Sequence, residues 1–327
     1  MSEPVLFIVI PCYNEEEVLP ETSKRILDKL MRMVKAGSVS DQSRVVFVDD
    51  GSRDKTWSLI EAYGAEDEHF NGVKLAHNRG HQNALFCGLM HSLGQCDCVV
   101  SMDADLQDDI EVLDQFVEKY KEGCEVVYGV RKARTTDTFF KRSTALAYYR
   151  FVGALGTQIV YNHADYRLLG SRALQALSEY REVNLFLRGI VPDIGYKTDV
   201  VYYDRGERFA GESKYPLKKM ISFALEGITS FSVKPLELIM KLGMTITVLS
   251  VLALIYALVA LLAGLPAVNA FAVGGSIFLA CGLVLDALGI TAIYVGKIYQ
   301  ETKDRPRFRI EKTVPEVPDS QKVKDKE

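Results

Sequence analysis

Residues 99–109 read VVSMDADLQDD, the stretch around which the rest of the chain is organised. Its apolar run predicts a buried strand that ends at Asp103 and Asp105. Side chains alternate along an extended chain, so these two carboxylates face the same way, and Gln107 joins them if the backbone stays extended. Oxygen donors at this spacing suit Mg²⁺ or Mn²⁺, which keeps open positions for the phosphates of a substrate.

The acidic residues that follow have a simpler explanation. Asp108, Asp109 and Glu111 precede an amphipathic run, and carboxylates are favourable at the positive end of a helix. We therefore expect these three residues to open a helix. The same explanation is weaker for Asp103 and Asp105, because a pair of acids is unfavourable at the end of a hydrophobic strand. A lone DxD triplet is common, so its meaning depends on the surrounding chain.

Residues 6–130 alternate between short apolar runs and longer amphipathic ones. The predicted strands are Leu6–Ile10, Arg44–Val48, Gly72–Ala76, Asp97–Met102 and Glu125–Gly129. The predicted helices are Glu15–Met33, Lys55–Tyr63, Gln82–Leu93 and Ile110–Lys121. This order predicts an α/β fold in which helices cover both faces of a mainly parallel sheet. Ligands bind such sheets beyond the carboxyl ends of the strands.

Polar clusters lie at three further strand ends: PCYNEEE (11–17), DDGSRD (49–54) and HNRGHQ (77–82). In the first cluster, Asn14 can cap the next helix. In the second, Asp49 and Asp50 are suited to bind ribose hydroxyls or base N–H groups. In the third, Arg79 precedes a helix start and can meet phosphate. Each cluster taken alone is also explained by an ordinary turn.

The stretch 242–285 contains no Asp, Glu, Lys or Arg. Gly264, Pro266 and Asn269 interrupt it near the middle, which leaves two apolar stretches of about 20 residues, each long enough to cross a bilayer core. We therefore expect a transmembrane helical hairpin, and the alternative is a buried hairpin of a soluble protein. Asp286, late in the second predicted membrane span, is expected to have a structural role.

Charge and cysteine content bear on the compartment. Cations flank the uncharged stretch on both sides: Lys234, Lys241, Lys297, Lys303, Arg305, Arg307 and Arg309. By the positive-inside rule both chain ends then face the cytoplasm. Residues 1–4 do not read as a secretory signal, and six cysteines without paired CxxC spacing fit a reducing compartment. The net charge of −4 gives no reason to expect nucleic acid as a partner.

Two amphipathic segments mix cations with large apolar residues, which is typical of helices at a membrane surface. The first is residues 139–153, for which a helix packed on the sheet is the alternative. The second begins at Pro216 and leads into the hairpin. The tail after Pro306 is charged and contains further prolines, so we expect little order beyond about Val314.

Four motifs in this order, VIPCYNEEE, VDDGSRDKT, NRGHQNALFCGL and DADLQDD, resemble the family 2 glycosyltransferases of GT-A fold. Within that family the chain resembles the polyprenyl-phosphate glycosyltransferases, which include bactoprenol glucosyltransferases and dolichol-phosphate mannose synthases. The resemblance implies a Rossmann-like GT-A domain over residues 1–215 and an interfacial helix over 216–235. It also implies a membrane segment over residues 236–297, with two transmembrane helices at about 238–263 and 270–296. A cytosolic charged tail over 298–327 follows.

The resemblance also implies roles for particular residues. The nucleotide-sugar pocket would be formed by Pro11, Tyr13, Glu15, Asp49, Asp50, Arg79, Asp103 and Arg131. The metal would be held by Asp103, Asp105 and Gln107. Asp165, in a D-[FY]-R-L segment, would act at the reaction centre with Asp105. Lys197–Tyr203 is a predicted strand, and the loop that follows it would bind the acceptor phosphate with Arg208, Ser213 and Lys214.

Alternatives remain for two of these residues. Arg131 has Lys132 and Arg134 nearby, and any of the three can be only a solvated cation. Asp165 can be a helix-capping or salt-bridging aspartate.

The implied reaction is inverting transfer of a hexose from a nucleotide sugar to a polyprenyl (undecaprenyl) phosphate, with Mg²⁺ or Mn²⁺. UDP-glucose or UDP-N-acetylglucosamine is the first choice of donor, and GDP-mannose is the alternative. The expected setting is the cell membrane, with a cytoplasmic catalytic domain, no nucleic acid and, by resemblance, a tetramer. A processive polysaccharide synthase is disfavoured because Trp57 is the sole tryptophan, so a Q-x-x-R-W motif is missing. A flippase is disfavoured too, and a catalytically silent nucleotide-sugar-binding scaffold is the alternative of another class.

Overall fold

The computed structural model describes residues 3–131, 163–182, 186–204, 270–303 and 305–316. The strands in these ranges are β1 (Leu6–Cys12), β2 (Arg44–Asp49), β3 (Phe70–Leu75), β4 (Cys98–Ser101), β5 (Val126–Arg131), β6 (His163–Gly170), β7 (Thr198–Tyr203) and β8 (Ile310–Val314). The helices are α1 (Leu19–Lys35), α2 (Thr56–Glu66), α3 (His81–Ser92), α4 (Leu113–Lys121), α5 (Ser171–Ser178), α6 (Leu187–Asp193) and α7 (Ala270–Thr302). A 3₁₀ turn, Ile110–Val112, leads into α4. The described residues form two units: the strands with α1–α6 make up the first, and α7 lies in the second.

The first unit is built on one sheet with the strand order β7-β5-β6-β4-β1-β2-β3-β8. β3, β2, β1 and β4 are parallel to one another, and β5 is parallel to β7. β6 and β8 pair antiparallel with their neighbours. The predicted α/β fold with a mainly parallel sheet is therefore confirmed. The sequence did not predict that β6 lies between β4 and β5 as an inner strand.

The core explains why the central strand is apolar along its whole length. β1 reads LFIVIPC, and every residue in it is buried, as expected for a strand covered on both faces. On one face α1 contributes an apolar stripe of Leu19, Ile26, Leu30 and Met33. On the other face, a Cβ on Gly88 of α3 would lie 2.4 Å from Val9 Cγ1, so glycine permits this close approach. Burying each such Leu or Ile side chain contributes about 1.5–3 kcal/mol.

α1 begins at Leu19 rather than at the predicted Glu15. The expectation that Asn14 caps this helix is wrong. Its backbone φ is 53°, and its side-chain oxygen accepts a hydrogen bond from the Arg53 N–H at 2.9 Å. Pro20 lies in the first turn of the helix, where a missing N–H has no cost. Asn14 therefore joins two loops instead of capping a helix.

β8 was not predicted, because the sequence placed residues 298–327 in a charged tail. The strand pairs antiparallel with β3, and Lys74 Nζ lies 3.3 Å from Glu311 Oε2 across the pair. Just upstream, the Arg307 guanidinium carbon lies 4.4 Å from the centre of the Phe86 ring. The run IEKTV is short and two of its five residues are charged, so its strand character comes from the partner strand.

Among the residues that the structure describes, we find no helix that is long and apolar enough to cross a membrane. The transmembrane hairpin stays a prediction. Several predicted parts lie outside the described residues: the span 238–263, the interfacial segments 139–153 and 216–235, and the acceptor-loop residues Arg208, Ser213 and Lys214.

Candidate active site

Polar loops meet at the carboxyl end of the sheet, because the parallel strands β1, β2, β3 and β4 all end there. The first two loops are joined by hydrogen bonds from backbone to side chain. The Asn14 N–H donates to Ser52 Oγ at 2.9 Å, and the Glu15 N–H donates to Thr56 Oγ1 at 2.9 Å. The second loop is joined to the third through Asp50. The fold thus brings together the clusters that the sequence singled out.

The predicted nucleotide-pocket residues of the first loop lie at different depths. Pro11 is buried at the end of β1, Glu15 is half-buried, and Tyr13 is 37% exposed. An exposed aromatic ring beyond the carboxyl end of a strand offers an apolar face to a planar base. Arg79, on the third loop, has an exposed side chain as well. The arrangement leaves an aromatic ring and a cation accessible to a ligand.

Asp49 and Asp50 are both buried, and burial raises the pKa of each carboxyl. Asp50 accepts hydrogen bonds from the backbone N–H groups of Arg79 at 2.6 Å and Gly80 at 2.9 Å. Asp49 Oδ1 accepts from the Ser52 N–H at 3.0 Å, whereas its Oδ2 is buried without a partner among the described residues. Asp50 therefore fixes the backbone of the third loop. Asp49 has one carboxylate oxygen, Oδ2, that can accept a further hydrogen bond.

The acidic loop after β4 does not continue as a strand. The backbone turns at residues 104–105, and Leu106 has a φ of 57°. The Gln107 N–H then donates to Asp105 Oδ1 at 3.2 Å. The expectation of an extended chain through Gln107 is wrong, because this turn folds the backbone back on the Asp105 carboxylate. Thr22 of α1 holds the turn by donating its hydroxyl to the Ala104 carbonyl at 2.8 Å.

The donor set of this loop fits a hard divalent cation. Two carboxylates, of Asp103 and Asp105, and the amide oxygen of Gln107 are the ligand types that Mg²⁺ and Mn²⁺ take. In the described part of the chain, no three His, Cys, Asp or Glu side chains are grouped closely enough to hold a metal.

Asp165 lies at the centre of a cluster of cations. Its carboxylate pairs with Arg167, and Arg188 approaches both of its oxygens, at 2.9 and 3.2 Å. His81 Nε2 lies 3.6 Å from Asp165 Oδ2. Burial alone would raise the pKa of Asp165, but Arg188, His81 and Arg167 hold it well below the ordinary value. Asp165 therefore forms salt bridges, as the alternative interpretation of the sequence allowed. Its role at the reaction centre stays a prediction.

His81 connects this cluster to the acidic loop. Its Nε2 lies 3.8 Å from Asp103 Oδ1 as well as close to Asp165. Burial alone would lower the pKa of His81, but the two carboxylates raise it. Burial also raises the pKa of Asp103, against the effect of His81. The predicted metal ligand and the predicted reaction-centre acid therefore share one imidazole.

A second cluster joins Arg131 to the acidic loop. Tyr203 donates its hydroxyl to Asp108 Oδ1 at 2.5 Å and accepts from Arg131 Nε at 3.3 Å. Burial, with the nearby charge of Asp103, raises the pKa of Asp108 to about 6. The expectation that Asp108 only opens a helix is wrong, because its side chain is buried. Asp109 does open the 3₁₀ turn by accepting from the Glu111 N–H at 2.9 Å.

Sequence reasoning missed Asp108, Tyr203 and Arg188 as members of the site. Arg188 stands alone in an apolar run, NLFLRGI, so no local pattern marks it. His81 was noticed only as part of its motif. The one available signal was indirect: Asp108 is an extra acid directly after Gln107. These residues meet because strands and helices bring distant parts of the chain together.

Comparison with known proteins gives the family. The family model described as Glycosyl transferase family 2 matches residues 7–177, more than half of the 327 residues. The chain belongs to glycosyl transferase family 2. The resemblance noted from the four motifs is thus confirmed, and the protein is a glycosyltransferase.

The relatives of this glycosyltransferase match it over most of its length. A Bacillus subtilis (strain 168) protein named uncharacterized glycosyltransferase YkoT is 50% identical over 95% of this chain and 92% of the relative. The bactoprenol glucosyl transferase of Shigella phage SfX is 36% identical over 93% of this chain and 97% of the relative. A solved structure of the Pyrobaculum calidifontis mannosyltransferase PcManGT with GDP-Man and Mn²⁺ aligns at a TM-score of 0.42 and 18% identity, covering 93% of this chain and 88% of that chain.

Proposed function

We propose that this glycosyltransferase moves a hexose from a nucleotide sugar to a polyprenyl phosphate, with inversion at the anomeric carbon. The observation that carries the proposal is the 36% identity, over 93% of the chain, to a relative named bactoprenol glucosyl transferase. UDP-glucose or UDP-N-acetylglucosamine is the proposed donor. A GDP-mannose-dependent enzyme of the same kind is the alternative.

The proposed chemistry is direct displacement. A phosphate oxygen of the acceptor forms a bond to the anomeric carbon while the bond from that carbon to the donor diphosphate breaks. The second pKa of a phosphate monoester is near 6, so most of the acceptor is already dianionic at neutral pH and needs no strong base. The low pKa of Asp165 agrees with this, because a carboxylate paired with Arg167 and Arg188 is a poor base. Asp165 then places cations at the reaction centre.

On the donor side, Arg131 and Arg79 would contact the diphosphate, and Tyr13 would face the base. Asp103, Asp105 and Gln107 would hold Mg²⁺ or Mn²⁺. When bound, such an ion neutralises charge on the departing nucleoside diphosphate.

A membrane setting completes the proposal. The acceptor chain stays in lipid while its phosphate must reach the loops at the sheet edge. The uncharged stretch 242–285 supports a transmembrane hairpin with both chain ends in the cytoplasm. Gly243, Gly274, Gly275, Gly282 and Gly289 would allow close helix packing in a homo-oligomer, a tetramer by resemblance. Retention of the chain in membranes after an alkaline carbonate wash would support the hairpin, and release would contradict it.

The deciding experiment is sugar transfer to undecaprenyl phosphate in detergent, with radiolabelled UDP and GDP sugars and with Mg²⁺ or Mn²⁺. We expect transfer from one donor, and a loss of about 100-fold or more in Asp105→Ala, since that carboxylate would hold the ion that neutralises the diphosphate charge. Asp199→Ala is the matched control, because Asp199 pairs with Lys119 at 3.1 Å on the outer strand β7. Nucleotide-sugar binding without any lipid-linked product would favour the scaffold instead.

A further inference from the structure

We propose that Asp108 and Tyr203 are positioning residues that hold the Arg131 guanidinium toward the diphosphate of the bound donor. This inference rests on the proposed function, because it assigns a task within the donor site of that reaction. It goes beyond the sequence expectations, in which Asp108 only opened a helix and Tyr203 only ended a strand.

The contacts orient Arg131 from one side. Tyr203 accepts from Arg131 Nε at 3.3 Å, and Arg131 Nη2 lies 3.8 Å from Asp108 Oδ1. Tyr203 in turn donates to that same Asp108 oxygen at 2.5 Å. A guanidinium is planar, so two contacts on one edge fix the direction of the other edge. The Arg131 side chain is 24% exposed, so part of it remains open to a ligand.

The burial of Asp108 points to a task other than helix opening. Its side chain is 2% exposed, and its Oδ2 has no hydrogen-bond partner among the described residues. Burying a carboxylate in this way opposes folding unless its partners compensate. Asp109 already opens the 3₁₀ turn by accepting from the Glu111 N–H. Among the described residues, the side-chain contacts of Asp108 are with Tyr203 and Arg131.

The sheet sets this arrangement. β5 and β7 are parallel neighbours, and Arg131 pairs with Tyr203 in the register, so both side chains leave the same end of the sheet. Gly129 lets the ring of Tyr203 approach, because a Cβ there would lie 3.2 Å from Tyr203 Cε1. Asp108 directly follows Gln107 in the acidic loop. One cluster therefore ties the predicted metal loop to the predicted diphosphate contact.

The test compares nucleoside diphosphate with monophosphate binding to the full chain in detergent. UDP and UMP are titrated with Mg²⁺ present, or GDP and GMP if GDP binds more tightly, and the ratio of the two Kd values is recorded. The variants are Tyr203→Phe, Asp108→Asn, Arg131→Met and the double variant Arg131→Met/Tyr203→Phe. Tyr166→Phe is the matched control, since Tyr166 holds the same loop by donating to the Asp109 carbonyl at 2.9 Å without an Arg131 contact.

We expect Tyr203→Phe and Asp108→Asn to weaken diphosphate binding by roughly 3- to 30-fold, which corresponds to about 0.6–2 kcal/mol and lies within the range for lost hydrogen bonds, and to leave monophosphate binding unchanged. In the Arg131→Met background, Tyr203→Phe should add nothing, because the residue it positions is gone. Additive losses, equal losses for both nucleotides, or the same loss in Tyr166→Phe would overturn the inference.

The folding of each variant is checked by its thermal midpoint from the fluorescence of the sole tryptophan, Trp57. Tyr203→Phe keeps the ring that packs edge-on against Tyr166 at 5.3 Å, so we expect its fold to be intact. A wild-type chain that binds neither diphosphate would overturn the proposed function and this inference together. A wild-type preference for the diphosphate that the variants retain would overturn this inference alone.

Discussion

Asp165 is an acid whose neighbours decide its chemistry. Its side chain is 8% exposed and faces two guanidinium groups and an imidazole. Arg167 is itself 2% exposed, so this carboxylate is the counter-charge that makes its burial tolerable. Gln82 adds a contact to Asp165 Oδ2 at 3.4 Å and accepts from the Leu187 N–H at 3.2 Å, which ties α6 to the cluster.

We predict that Asp165→Asn lowers the free energy of unfolding by about 3–5 kcal/mol, because it leaves a buried arginine without its counter-charge. Denaturant unfolding followed by Trp57 fluorescence measures this. The pKa of Asp165 is lowered in the fold, so its contribution is complete above the unfolded value of about 4 and is lost as the pH falls through the lower folded value. The difference between the two proteins should thus persist from pH 8 to pH 5 and shrink only in stronger acid.

The matched control is Asp199→Asn, because Asp199 is also paired with a cation but is partly exposed. Its loss should be below about 1 kcal/mol. An equally small loss for Asp165→Asn, or a difference that disappears near pH 6, would contradict the assignment of Asp165 as a permanently ionised counter-charge.

The loops act as elements that hold one another in place. Asp50 ties the loop after β2 to the loop after β3, and Gly51 lies against the loop after β3. Gly51 has a φ of 68°, and a Cβ there would lie 2.7 Å from both the Asn78 nitrogen and the His77 carbonyl carbon. α1 supports the acidic loop in the same manner. Its buried Lys29 lies 3.2 Å from the Glu111 carbonyl.

We predict that Gly51→Ala separates these two loops and weakens nucleotide binding by about tenfold or more, since backbone atoms must move to admit the methyl group. Titration with UDP and with GDP measures the effect. Gly94→Ala is the matched control, because Gly94 has a φ of 77° but nothing lies within 4 Å of the added Cβ. It should cost about 1–2 kcal/mol of stability from backbone strain and leave binding unchanged. Equal binding by Gly51→Ala and wild type would contradict the loop contact.

At the scale of the whole molecule, the first unit combines the N-terminal part of the chain with the segment that follows α7. β8 covers the edge of β3, and Val314 packs against the core of the unit. Arg307 donates to the Tyr180 carbonyl and covers the Phe86 ring of α3. α3 also carries His81 at its first position, so the segment after α7 supports the helix that presents His81 to the site.

We predict that ending the chain after Pro306 lowers the thermal midpoint by roughly 5–10 °C, which corresponds to about 2–3 kcal/mol. The truncation removes the strand pairing and the Arg307 contacts, and it exposes the β3 edge to association with other chains. A chain that ends after Glu316 keeps β8 and serves as the control. The two truncated chains should therefore differ, and matching midpoints would show that β8 does not stabilise the unit. Trp57 fluorescence during heating, with light scattering, provides the measurement.

The sequence by itself determined the alternation of strands and helices, the order of the four motifs and, through them, the family. These are local properties, since periodicity and turn chemistry are set by neighbours along the chain. It also selected Asp103, Asp105 and Asp165, because each lies in a short motif, while Arg131 was implied by the family resemblance. It misjudged Asn14 as a cap for the same reason: a local pattern does not show that Arg53 competes for its side chain.

Only the tertiary structure decided which groups face each other. Tyr203 meets Asp108 across 95 positions of sequence, and Arg188 meets Asp165 across 23, so neither pair leaves a local signal. β6 became an inner strand and β8 an edge strand because neighbouring strands offered unpaired N–H and C=O groups. The burial and charge of a site depend on such distant contacts, which is why the pKa values of Asp108 and Asp165 shift in opposite directions.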